Sequence, residues 1–101
     1  MSPPVPTIAL EVDFLQRSVR VDGTPVDLTA LEFGVLAALA RDPGVVVTRA
    51  ALLDLVWGPG FADEHELVDL HVECLRWKLG DAGPRLVETV DTLGFRLGDP
   101  D

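Results

Sequence analysis

Glycine and proline cut this chain into segments whose lengths leave few folds open. The interruptions are Asp22-Gly23, Pro43-Gly44, Gly58-Pro59-Gly60 and the run from Gly80 to Pro84, each a place where a strand turns or a helix stops. The apolar period changes between them. Before residue 28, IALEVDF, SVRVDG and PVDL are short β-branched runs, and Asp22-Gly23 supplies a tight hairpin turn, which predicts an antiparallel sheet of three or four strands. From Leu28 the period becomes helical. Thr29 and Glu32 form a capping box ahead of Leu31, Val35, Leu36 and Leu39, predicting a first helix that runs to about Arg41.

After an extended link over Val45 to Val47, Thr48 caps a second helix carrying Leu52, Leu53, Val56 and Trp57. Asp63 opens the longest helix, which Gly80 closes, with Val68, Val72, Leu75 and Leu79 as its inward stripe. Beyond a turn over Asp81 to Pro84, Leu86–Val90 and Phe95–Leu97 read as two strands around Asp91 to Gly94. The predicted order is sheet, three helices, hairpin: one domain over 8–97, between a proline-rich flexible tail at 1–7 and a short tail at 98–101.

Several function classes find no residues here. The longest apolar run, Val35 to Ala40, is far short of the roughly 20 residues that span a bilayer, and Met1 to Thr7 has neither a basic region nor an apolar core. A cytoplasmic protein with no membrane association is expected. Cys74 is the single cysteine, so no internal disulfide forms. It is expected to be a structural or interface thiol rather than a nucleophile, since activation needs a lowered pKa. Ser2 and Ser18 are the only serines, no Gly-x-Ser-x-Gly turn occurs, and no glycine-rich loop precedes a helix. His65 and His71 with Asp63 or Asp69 do not make the compact ligand set that zinc requires. The expectation is a non-catalytic module with no metal, no cofactor and no small-molecule substrate.

The matching segments, in order, are Asp22-Gly23 with Val26, Leu28-Thr29 with Glu32-Phe33, Pro43 to Arg49, and Leu53 with Val56-Trp57-Gly58. They continue with Val68-Asp69-Leu70-His71-Val72, Leu75-Arg76, Lys78-Leu79, Thr89-Val90 and Gly94 to Leu97. This series resembles the effector domain of OmpR/PhoB-type response regulators over about Ile8 to Leu97. Any one segment is weak, whereas all of them in order are specific. The resemblance implies an α+β winged helix-turn-helix fold with an N-terminal antiparallel sheet, three helices and a C-terminal β-hairpin wing. It further implies that the third helix enters the DNA major groove, the wing touches the minor groove, and the loop over Gly58 to Ala62 is available to polymerase. Arg49, Arg76, Lys78 and Arg96 then stand where members of the family contact phosphates.

The chain departs from that pattern on the surface that reads DNA. Where the family usually has Arg-Thr before the Val-Asp pair, this chain has Glu66-Leu67, and Glu73-Cys74 replaces a common basic or hydroxyl residue. Asp91 and Thr92 replace the basic residue and glycine usual at the wing. Five acidic residues and no Lys or Arg lie between Asp63 and Glu73. At about 100° per residue, Glu66, Leu70, Glu73 and Trp77 point away from the buried stripe, and Leu67 and Cys74 flank them. An apolar patch rimmed by charge is the mark of a protein contact surface. Eight Lys plus Arg against seventeen Asp plus Glu give a net charge of −9, which disfavours duplex DNA. The expectation is therefore a transcriptional-regulation module acting through a protein partner or a second copy of itself. Leu67, Leu70, Cys74 and Trp77 are its anchors, and Glu66 and Glu73 its rim. Conventional duplex binding through Arg49, Arg76, Lys78 and Arg96 is the alternative.

Overall fold

The computed structural model describes residues 10–98; the tail expected at 1–7 and the positions beyond 98 lie outside them. Strands β1 (Leu10–Asp13), β2 (Ser18–Val21) and β3 (Thr24–Val26) form an antiparallel sheet in sequence order. Asp13 Oδ1 accepts from the amides of Leu15 and Gln16, closing the first turn. In the second turn Asp22 and Gly23 both have positive φ, 50° and 80°. This is the backbone twist that a two-residue hairpin requires and that Asp-Gly adopts cheaply. Pairing Val12↔Val19↔Val26 puts the valines on one face, with Val19 fully buried.

Helix α1 (Ala30–Ala40) begins as its sequence dictates: Thr29 Oγ1 accepts from the Glu32 amide at 3.2 Å, and Glu32 Oε1 accepts from the Thr29 amide at 2.9 Å. Phe33, Val35, Leu36 and Leu39 enter the core. Leu31, expected inward, is exposed; it sits roughly 110° around the helix from the centre of the buried arc.

Gly44, with φ 83°, ends that region, and its amide donates to the Leu97 carbonyl. The link expected over Val45 to Val47 instead ends in a two-residue strand, β4 (Val47–Thr48), paired with the C-terminal hairpin. Thr48 Oγ1 then caps α2 (Arg49–Leu52) by accepting from the Ala51 amide. The helix widens into a π turn over Leu53–Trp57, closed by the Gly58 amide on the Leu53 carbonyl at 2.8 Å. Val56 packs over Gly34 of α1, where a Cβ would stand 3.0 Å from its Cγ1. A 3₁₀ turn, Pro59–Phe61, leads to α3 (His65–Lys78).

Val68, Val72, Leu75 and the following Leu79 are buried as the stripe predicts. The expected Asp63 cap is not made: Glu64 holds the cap position and neither it nor Asp63 bonds a first-turn amide through its side chain. The run expected as a turn is a 3₁₀ turn, Gly80–Ala82, followed by a fourth short helix, α4 (Gly83–Leu86). Gly83 is needed there because a Cβ would collide with the Arg76 carbonyl, and Pro84 suits a helix start. Strands β5 (Val87–Val90) and β6 (Gly94–Leu97) form the wing, and the second sheet has the order β4-β6-β5. Gly98, expected in the tail, is buried, and its amide donates to the Leu86 carbonyl at 2.7 Å. One core joins both sheets to α1 and α3. No helix among the described residues is long and apolar enough to cross a membrane.

Candidate nucleic-acid interface

The outward face of α3 is set by its buried stripe. Glu66, Leu70, Glu73, Cys74 and Trp77 are exposed, with Leu70 at 58% and Trp77 at 83%. Leu67 is the exception, half-buried at the flank of the helix, so the expected apolar stripe is narrower at its N-terminal end. The Leu67 carbonyl is 2.7 Å from His71 Nδ1, and the His71 ring meets Trp57 edge-on at 5.0 Å. That contact turns Trp57 and His71 into packing residues between the π turn and α3.

The four candidate phosphate cations are not isolated surface charges. Arg49 Nε donates to Asp69 Oδ1 at 2.7 Å, and its Nη1 donates to the Thr92 carbonyl at the wing turn. It thereby ties the start of α2 to α3 and the wing tip. Arg76 Nε donates to the Val87 carbonyl at 2.8 Å, Nη1 to Glu73 Oε1 at 2.8 Å and Nη2 to Thr89 Oγ1 at 2.6 Å. All three of its nitrogens are engaged in holding α3 against β5. Both guanidinium groups lie over the Phe95 ring, 4.7 and 5.8 Å from its centre.

Lys78 Nζ reaches back to Glu32 Oε1 at 2.7 Å, linking α3 to the start of α1. Burial raises the Glu32 pKa, but the Lys78 ammonium and the Thr29 amide outweigh it and hold the carboxyl below its ordinary value. Arg96 Nε donates to Glu88 Oε2 at 2.7 Å across the wing, where the two residues are directly paired. The remaining cations, Arg17, Arg20, Arg41 and Arg85, lie outside α3 and the wing strands. Arg17 covers the Phe33 ring.

Sequence reasoning located the outward face of α3 but missed what the cations do. Two of the pairs had a usable local signal: Glu73–Arg76 in its i,i+3 spacing on α3, and Glu88–Arg96 in the hairpin register. Arg49–Asp69 and Lys78–Glu32 bridge 20 and 46 positions and carry no local spacing.

A sheet, a helical core with an exposed helix across it, and a C-terminal hairpin clamped to that helix define a winged-helix domain of the helix-turn-helix class. The family described as "Transcriptional regulatory protein, C terminal" matches residues 23–97, and the chain belongs to it. The transcriptional regulatory protein PrrA of Mycobacterium leprae is 49% identical over 89 residues, 87% of this chain. The chain spans 38% of that relative's length. The DNA-binding domain of CpxR from E. coli superimposes with a TM-score of 0.80 at 28% identity, covering 99% of this chain and 100% of that one. The RstA DNA-binding domain of Klebsiella pneumoniae, solved in complex with the RstA box, gives 0.79 at 28% identity, covering 93% and 95%.

Proposed function

We propose that this chain is a duplex-DNA-binding effector domain of a response-regulator-type transcriptional regulator, with α3 in the major groove and the β5–β6 wing beside it. The carrying observation is the α3 outer face, left exposed and held rigidly to the wing through Arg49 and Arg76. Similarity to domains solved as DNA binders, one of them on its DNA box, supports the same reading. It reverses the weight first given to the net charge of −9. On this reading acidity sets how tightly the domain binds rather than whether it binds.

Because Arg49, Arg76, Lys78 and Arg96 already have carboxylate partners, a phosphate must compete for each of them. Binding is expected to be weak, with a log K against log salt slope of about 2 or less in magnitude, fewer than the four phosphates a simple count gives. Fluorescence anisotropy with generic duplex at about 50 mM salt tests this. Absence of binding at high protein concentration would remove the DNA reading.

The exposure of Leu70, Cys74 and Trp77 favours a second reading, in which the same face docks a second copy or a basic protein, with Glu66 and Glu73 as rim. Light scattering after size exclusion should then show a dimer that Trp77→Glu dissociates. A monomer at high concentration would rule out self-association.

A further inference from the structure

We infer, resting on the DNA-binding reading above, that α3 reads the pyrimidine edges of its site, cytosine amino groups and thymine methyls, rather than guanine. Guanine presents only acceptors, O6 and N7, in the major groove, so reading it needs side-chain N–H donors, usually those of Arg or Lys. The outward positions of α3 offer no Arg or Lys donor; their side-chain N–H groups are only the His65 ring at the first residue and the Trp77 indole in the last turn. Arg76 spends its three nitrogens on Val87, Glu73 and Thr89, Arg49 is turned to Asp69 and Thr92, and Lys78 is drawn inward to Glu32. The face carries instead carboxylates, Glu66 and Glu73, and apolar groups, Leu70 and Trp77. A carboxylate accepts from the cytosine N4 amino group, and an apolar side chain packs on the thymine methyl.

Glu73 is the better-prepared acceptor. Its Oε1 is held by Arg76 at 2.8 Å while its side chain stays 71% exposed, which leaves Oε2 available as an acceptor. The pair enters the negative field of the duplex as a neutral unit, which removes much of the repulsion a lone carboxylate would meet. Arg76 acts here as a positioning residue. Glu66 lies in the first turn of α3, where the positive end of the helix dipole offsets its charge. His65 is the one ring nitrogen donor near that end of the helix, so its substitution is the internal control.

The test uses the intact chain and selection from a random duplex library, followed by anisotropy on the selected site with modified bases. Selected sites should carry C and T on the contacted strand. Replacing a contacted thymine by deoxyuracil, which removes only the methyl, should weaken binding about threefold to fivefold, the worth of one buried methyl. Replacing guanine by 7-deazaguanine should change it by less than about twofold, because no Arg or Lys on the α3 face addresses N7. Glu73→Gln, which adds a donor beside the acceptor, should move the preferred base opposite it from C toward A. A tenfold loss on 7-deazaguanine, or a base preference unmoved by Glu73→Gln with His65→Ala abolishing it, overturns the inference and leaves the DNA-binding reading standing. Failure to select any site overturns both.

Discussion

Replacing Lys78 by methionine separates a structural cation from a phosphate contact. Its ammonium lies 2.7 Å from a Glu32 carboxylate whose side chain is only 6% exposed, while Lys78 itself is 29% exposed. Removing one partner of a buried pair costs about 3–5 kcal/mol, because the remaining charge is left without compensation. Glu32 keeps the Thr29 amide bond and Lys78 is partly hydrated to begin with, so about 2–3 kcal/mol is expected here. For a domain of this size that is a fall in Tm of about 10 °C or more.

The pH dependence fixes the cause. Glu32 has a folded-state pKa below its ordinary value, so its contribution is fully present above the unfolded carboxylate range and is lost as pH falls through the folded value. Lys78→Met should therefore cost its full amount in urea denaturation at neutral pH and much less at a pH low enough to protonate Glu32 in the folded parent, where a neutral carboxyl needs no cation. Adding Glu32→Gln to Lys78→Met should recover part of the loss at neutral pH. A penalty under about 0.5 kcal/mol, or one equal at both pH values, would refute the reasoning. Unchanged stability with a salt slope of DNA binding reduced by about 1 would instead make Lys78 a phosphate contact.

Three other substitutions test other joints of the structure. Gly94→Ala places a Cβ against the Val47 carbonyl, where β6 meets β4, and should cost about 3 kcal/mol or more by thermal unfolding. Arg49→Met should cost only about 1 kcal/mol, since Asp69 is half exposed, yet speed hydrogen exchange at the Leu93 amide, which bonds Val90 across the turn that Arg49 ties down. Trp77→Ala, at a side chain 83% exposed, should leave stability within about 0.5 kcal/mol of the parent, measured in the same urea titration; a larger loss would mean that Trp77 packs within the monomer.

What the sequence made legible was local. The Asp22-Gly23 turn, the Thr29–Glu32 box, the Thr48 cap and the α3 stripe each depend on residues within a few positions of one another, and each formed as read. The misreadings share the opposite property. Strand β4 has two residues and exists only because β6 passes beside it, so Val47 and Thr48 alone look like a link. Gly83-Pro84 reads as a turn, but the glycine is there to let α4 lie on the Arg76 carbonyl, and the proline starts a helix. The π turn over Leu53–Trp57 keeps the composition of an ordinary helix and betrays itself only in the Gly58 to Leu53 hydrogen bond.

The same distinction explains why the outer face of α3 was found while its electrostatics were misjudged. Which way a side chain points follows from helical period, and exposure of Glu66, Leu70, Glu73, Cys74 and Trp77 followed. Whether a charge is free depends on what other elements bring to it. A formal count treats Arg49, Arg76, Lys78 and Arg96 as four cations offered to a ligand, yet each has a carboxylate within 2.8 Å, supplied by another helix or strand for Arg49, Lys78 and Arg96 and by the preceding turn of α3 itself for Arg76. Half of the eight basic residues are thus committed to holding α1, α3 and the wing in place. The net charge therefore says little about whether α3 meets DNA. On the DNA-binding reading proposed above, the pairing leaves the α3 face mainly with acceptors and apolar groups, and the proposed preference for pyrimidine edges follows from that.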